Sequence, residues 1–177
     1  VQRKYQITKA PLTVETQSDS KVYDGKPLTA PGTVKGFVEG ENAELQVTGT
    51  QTAVGSSKNT YKIVWTETTK ADNYQVSETV GTLTVTDQSI EDSKKITVGT
   101  LGNVVYNGKN QKQEPAVTTK DGKTTLVKGT DYTLSYSKDT KNVGEVTVTV
   151  TGKGNYSGTV QRKYQITKAP LTVETQS

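Results

Sequence analysis

Val146-Thr147-Val148-Thr149-Val150-Thr151 alternates apolar and polar residues without interruption, the period-two signature of a β-strand with one buried and one wet face. The same alternation recurs in Leu12-Thr13-Val14-Glu15-Thr16, Glu44-Leu45-Gln46-Val47-Thr48 and Gly81-Thr82-Leu83-Thr84-Val85-Thr86. Tyr61, Ile63 and Trp65 share one strand face, as do Tyr132, Leu134 and Tyr136. No window sustains apolar residues at helical spacing, so the chain is read as all-β, with turn signals every 8 to 12 residues favouring Greek-key sandwiches.

Composition agrees. Apolar content is only 30%, but nine Tyr, 32 Thr and many Val are the makeup of half-buried strands rather than of disorder. Cysteine and histidine are both absent. This removes disulfides, thiol nucleophiles, zinc–thiolate sites, the usual general base near neutral pH and the commonest metal ligand. The net charge of +4 comes from 22 basic and 18 acidic residues. It would let a soluble protein bind an anionic polymer, but the lysines are dispersed, with no basic block interleaved with aromatics, so no nucleic-acid partner is expected. No apolar run approaches membrane-spanning length. The chain opens without Met or a signal peptide and reads as an interior fragment whose export and anchoring signals lie elsewhere.

One segment occurs twice. Val1-Gln2-Arg3-Lys4-Tyr5-Gln6-Ile7-Thr8-Lys9-Ala10-Pro11-Leu12-Thr13-Val14-Glu15-Thr16-Gln17-Ser18 returns unchanged from Val160 to Ser177, a period of 159 residues. Identity over eighteen positions marks tandem copying, and the period is too long for common solenoid units. Within it the halves are distant copies. Val22-Tyr23-Asp24-Gly25-Lys26 answers Val105-Tyr106-Asn107-Gly108-Lys109, and Val38-Glu39-Gly40 answers Val127-Lys128-Gly129. Val54-Gly55 answers Val143-Gly144, and Asn73-Tyr74 answers Asn155-Tyr156. The Asp-Gly and Asn-Gly pairs are expected to close hairpins or bulged turns.

The organisation expected is therefore residues 1–9 as a closing strand left from a preceding module, 10–87 as a first Ig-like module, and 88–94 as a polar linker. Residues 95–169 form a second Ig-like module and 170–177 an opening strand of the next repeat. The two orphan ends are expected to fray or to pair with a neighbouring molecule.

The Val-Tyr-Asp/Asn-Gly-Lys turns, Gly129-Thr130-Asp131-Tyr132-Thr133-Leu134-Ser135-Tyr136, and Val148-Thr149-Val150-Thr151-Gly152-Lys153-Gly154-Asn155-Tyr156 together resemble the Ig-like tandem repeats of Gram-positive cell-surface adhesins, of the Tyr-Asp-Gly motif type. That resemblance implies an extracellular, secreted protein attached to the bacterial cell wall, whose modules form a stalk that projects a binding domain. Its partners would be neighbouring repeats of the same chain and, through the full-length protein, a host glycan or matrix protein. It implies no catalytic residues and no cofactor. The alternative is an adhesive module that itself binds such a glycan or matrix protein. Modules of this kind sometimes carry a Lys-to-Asn/Asp isopeptide bond, although no Lys here is singled out for one.

Individual residues are read accordingly. Trp65 could stack on a sugar, but its place beside Tyr61 and Ile63 makes it the natural core residue of the first module. Tyr23, Tyr106, Tyr74 and Tyr156 recur at matched positions, which favours packing. Glu39, Glu41, Glu44 and Asp72 show no spacing that singles out a glycosidase-like pair. Asp24 and Asp121 explain themselves as turn formers, and no calcium-loop pattern is present. The sequence thus names no catalytic, cofactor-binding or metal-binding residue, and leaves any ligand-binding residue unknown.

Overall fold

The computed structural model describes residues 2–137 and 139–171. The chain divides into two compact units, Val1–Thr86 and Asp87–Ser177. Both are built from strands, and among the described residues helix is limited to one 3-10 turn at Ala71–Asn73.

In the first unit, β1 (Ala10–Thr16) buries Leu12, Val14 and Thr16 and exposes the residues between them, as its alternation requires. Pro11, whose missing N–H is tolerated near a strand start, is its second residue. β1 runs between β3 (Gly32–Lys35), antiparallel to it, and β7 (Tyr74–Thr79), parallel to it. A second sheet has the order β2-β8-β5, from Asp19–Val22, Thr82–Thr86 and Gly55–Lys58, with β2 parallel and β5 antiparallel to β8. β4 (Ala43–Val47) and β6 (Tyr61–Trp65) form an antiparallel ribbon. Leu28, Ala30, Leu83 and Val85 pack together, with Tyr23 against them. Between β5 and β6 the fully buried Asn59 donates from Nδ2 to the carbonyls of Gln17 (2.9 Å) and Ala30 (3.0 Å). The Asn59 backbone carbonyl accepts from Thr16 Oγ1 at 2.7 Å. One buried residue thereby ties three chain segments, at a site where an unpaired backbone group would be costly.

The second unit contains β9 (Gln88–Ser89), β10 (Ile96–Val98), β11 (Val104–Val105), β12 (Val117–Thr119), β13 (Tyr132–Tyr136), β14 (Gly144–Gly152), β15 (Tyr156–Ser157) and β16 (Thr159–Thr167). Its main sheet has the order β11-β16-β14-β13, with β11 parallel to β16 and the other pairs antiparallel. Val146, Val148 and Val150 are fully buried along β14, and Tyr164 and Ile166 along β16 are 1% exposed. A second cluster gathers Ile90, Ile96, Val98, Val117, Leu126, Tyr132 and Val150.

The internal likeness of the halves extends to backbone geometry. Gly25 and Gly108 have φ of 76° and 77°, Gly40 and Gly129 of 82° and 90°, and Gly55 and Gly144 of 138° and 133°. All lie where side chains with a Cβ are disfavoured. Gly55 pairs with Val85 as Gly144 pairs with Ile166, and Val22 pairs with Thr86 as Val105 pairs with Thr167.

Three features differ from the sequence expectations. The stretch 88–94 is not a free linker. Gln88–Ser89 pairs in parallel with Tyr156–Ser157, and Ile90, the one apolar residue of the stretch, is 2% exposed in the core. The turns at Asp24-Gly25 and Asn107-Gly108 do not close hairpins either, whereas Asp121-Gly122 does, with Thr118 bridging Thr125 antiparallel. β2 and β11 each enter such a turn, but their partners are the late strands β8 and β16, and after the first turn Leu28 bridges to Gln51. Asp-Gly and Asn-Gly fix the local bend, whereas the pairing of the flanking strands is decided by what they can bury. Finally, among the described residues four of the ten strand pairings are parallel, each between an early and a late strand of one unit, a connection that a tight turn cannot make.

Residues 2–9 carry no strand and stand exposed, Tyr5 at 90% and Ile7 at 86%. Of the expected opening strand 170–177, Pro170 and Leu171 are exposed, and 172–177 lie outside the described residues.

Candidate functional site

Alternation along β6 places Tyr61, Ile63 and Trp65 on one half-buried face. Trp65 is not in the closed core. It stacks on Tyr74, the first residue of β7, with ring centroids 5.8 Å apart, and Phe37 meets both rings edge-on at 6.3 and 5.5 Å. Offset and edge-on contacts of this kind satisfy the rings' quadrupoles among themselves. The Tyr74 hydroxyl donates to Glu41 at 2.5 Å and accepts the Val38 N–H at 3.1 Å. Burial first, then the Glu41 carboxylate, raises its phenol above the usual range.

At the other end of β6, Tyr61 donates its hydroxyl to Glu78 of β7. Burial, and after it the Glu78 carboxylate, pushes the Tyr61 phenol up to about 12, so it stays neutral and donating at physiological pH. Lys58, Thr60, Tyr61, Glu78 and Val80 line an open groove of about 630 Å³. Its polar lining is an ammonium, a carboxylate and two hydroxyls, of which the Tyr61 hydroxyl is engaged by Glu78 and that of Thr60 by Thr48.

The other residues singled out by sequence are dispersed. Glu41 is engaged by Tyr74, Glu44 accepts from Gln46 Nε2 at 3.0 Å, Asp72 lies exposed in the 3-10 turn, and Glu39 is exposed. Among the described residues no group of three or more His, Cys, Asp or Glu is placed to hold a metal. Asp24 accepts the Lys26 N–H at 2.9 Å and Lys21 Nζ at 2.6 Å, and Lys21 first, then the Lys26 N–H, holds its carboxyl below the usual range. Asp121 does the same for Thr119 Oγ1 and the Lys123 N–H. Both are turn formers. Tyr23, Tyr106 and Tyr156 pack against the cores of their units and Tyr74 is buried. Every described Lys is exposed except the half-buried Lys21, which is ion-paired to Asp24, so the described residues bring no buried Lys to an Asn or Asp.

Sequence reasoning missed the Tyr61–Glu78 pair and the place of Phe37 beside Trp65. The alternation showed which face Tyr61 occupies but carried no sign of which strand lies beside it.

The Tyr23-Asp24-Gly25 turn repeats its geometry at Tyr106-Asn107-Gly108, where the Asn107 carbonyl accepts the Lys109 N–H at 3.0 Å as Asp24 accepts that of Lys26. Residues 12–84 match the MBG domain (YGX type). The matched span runs from Leu12 in β1 to Thr84 in β8 and lies within the first unit. The second unit lies outside that span yet repeats its turns. MBG domains are structural repeat domains of surface proteins rather than an enzyme family, and their setting is extracellular. No curated protein matches the chain. No described helix is long and apolar enough to cross a membrane.

Proposed function

We propose that the chain is a spacer segment of a bacterial cell-surface adhesin, two Ig-like β-sandwiches per repeat strung end to end to hold a binding domain away from the wall. On this reading residues 1–9 close a preceding module and 170–177 open the next. The observation that carries the proposal is the eighteen-residue identity at a spacing of 159 residues, supported by the MBG match over 12–84. The parallel pairings fit a load-bearing role. In each unit an early strand lies parallel to a late one, so tension applied at the two ends slides the strands along each other and loads their hydrogen bonds together instead of one at a time. Survival under such force is set by the unfolding rate. Small-angle scattering on one, two and three 159-residue repeats tests the spacer. The maximum dimension should grow by a constant increment per repeat, and a compact particle whose length fails to grow would rule it out.

The groove at Tyr61 and Glu78 favours a second reading, in which this segment itself binds a host glycan or matrix protein. Glycan-array and matrix-protein binding by the chain, abolished by Tyr61→Ala and Glu78→Ala, would replace the spacer as the main role.

A further inference from the structure

The lysines are dispersed along the sequence, but the fold gathers four of them. Residues 1–86 hold nine basic and nine acidic residues, so the whole net charge of +4 falls in residues 87–177. There Lys94, Lys95, Lys120 and Lys123, all exposed, come together at one end of the β10–β12 pair. We propose that this face is a binding site for a polyanion of phosphodiester-linked polyols, held by the four ammonium groups and by a row of threonines beside them.

The pairing register builds the face. Ile96, Val98, Val117 and Leu126 turn into the core, so the residues between them on the strands turn out. Thr97 lies opposite Thr118, and Thr118 opposite Thr125, which sets three hydroxyls on neighbouring chain segments about 5 Å apart. Two residues along the same face, the Lys120 N–H donates to the Lys95 carbonyl at 2.7 Å, placing these two lysines opposite each other. Lys123 follows in the turn at Asp121-Gly122, and Lys94 immediately precedes Lys95.

Like charges facing each other across a ladder are destabilising, and none of the four lysines has an ion-pair partner among the described residues, where the ion pairs are Lys21–Asp24, Lys128–Glu114 and Lys163–Glu145. The carboxylates nearest in sequence are taken by turns. Asp92 accepts the Lys94 N–H at 3.0 Å, and Asp121 accepts the Lys123 N–H at 3.1 Å and Thr119 Oγ1 at 2.6 Å. The fold does not demand the arrangement, because β1, which buries Leu12 and Val14 in the first unit, exposes Pro11, Thr13 and Glu15 instead. Lysine ammonium groups act as point charges rather than bidentate forks, which suits the single delocalised charge of a phosphodiester on a flexible chain. Residues 94–98 and 117–126 include no aromatic ring on which a base could stack, whereas the threonine hydroxyls can hydrogen-bond the polyol links. The inference goes beyond the spacer reading and does not need it.

Fluorescence anisotropy of a labelled poly(glycerol phosphate), titrated with the full chain at several salt concentrations, tests the site. Binding should tighten as salt falls, because each contact releases a counterion. Lys95→Gln with Lys120→Gln should weaken it by about tenfold, since each lysine beside an anionic surface contributes a several-fold gain. The same pair should lower the slope of log affinity against log salt by about 1.4, at about 0.7 for each contact on a single polyphosphodiester strand. Lys109→Gln with Lys141→Gln removes as much charge from exposed positions outside the face and should leave both quantities nearly unchanged. All four side chains are exposed, so both double variants fold. Three results would overturn the proposal: no binding at low salt, equal losses in the two double variants, or equally tight binding of a sulfated dextran of matched charge density, which would mean that charge alone is read.

Discussion

Tyr5 and Tyr164 sit in the same nine-residue sequence, yet one is 90% exposed and the other 1%; for Ile7 and Ile166 the figures are 86% and 1%. The neighbouring segment inverts the relation, since Leu12 is fully buried in β1 while its counterpart Leu171 is 89% exposed. Local propensity is identical within each pair, so it accounts for none of the difference. What differs is the surface available for pairing. Residues 160–167 meet β11 and β14, and residues 10–16 meet β3 and β7. A strand is thus the outcome of a partner rather than of its own letters.

The largest effect expected from breaking this comparison comes from deleting the buried ring. Tyr164→Ala should cost the second unit about 3–5 kcal/mol by lost burial and cavity formation. Tyr5→Ala should change stability by no more than about 0.5 kcal/mol, as exposed substitutions do. Urea unfolding of the two variants, followed by a probe in each unit, reads the contrast directly, and equal losses would mean that residues 2–9 are packed after all. Leu12→Ala and Leu171→Ala form the reciprocal test, with about 2–5 kcal/mol lost at Leu12 and a negligible change at Leu171. Together the pairs assign the duplicated segment's nine-residue halves to opposite units.

Much of this was legible from the residues. Alternation identified β1, β4, β6, β8, β13 and β14, and matched Gly positions located equivalent turns because a positive φ leaves a mark on composition. Pairing was not legible. Val22 reaches Thr86 and Val104 reaches Ile166 across more than sixty residues of chain, and no local pattern records a parallel partner. Ile90 was overlooked because one apolar residue among acids and serines resembles a linker, whereas a single side chain is enough to anchor a short segment when a cavity awaits it. The candidate groove was hidden for a related reason: Tyr61 and Glu78 lie on separate strands, and their contact follows from strand order.

The third test, smaller, concerns the charged member of the repeat. Arg162→Ala removes hydrogen bonds to the carbonyls of Val98 and Gly99, and losing charge-assisted bonds of this kind costs about 1.5–3 kcal/mol. Arg3→Ala, with residues 2–9 exposed, should leave the urea midpoint unchanged. Arg162→Lys sharpens the point. It keeps the charge but lacks the guanidinium fork that serves two carbonyls together, so only partial recovery is expected, and full recovery would mean that the fork contributes nothing.

The smallest effect separates burial from the hydrogen bond at Tyr164. Tyr164→Phe keeps the ring and removes the donor to the Gln111 carbonyl, at a cost of about 1 kcal/mol near neutral pH. Burial raises the Tyr164 phenol above its ordinary value of 10.0. An acid whose folded pKa is raised holds its proton longer in the folded chain than in the unfolded one. Its stabilising contribution is therefore intact below pH 10 and is lost as the pH climbs through the folded value. Wild-type unit-two stability should accordingly decline above pH 10, and Tyr164→Phe should decline less steeply over the same interval, with Tyr132 and Tyr136, also raised by burial, supplying the remainder. Urea midpoints at half-unit steps from pH 9 upward measure both slopes. If the two curves ran parallel, the hydroxyl of Tyr164 would be as well solvated in the folded strand as in the unfolded chain, and the contrast between the two copies would rest on the apolar ring alone.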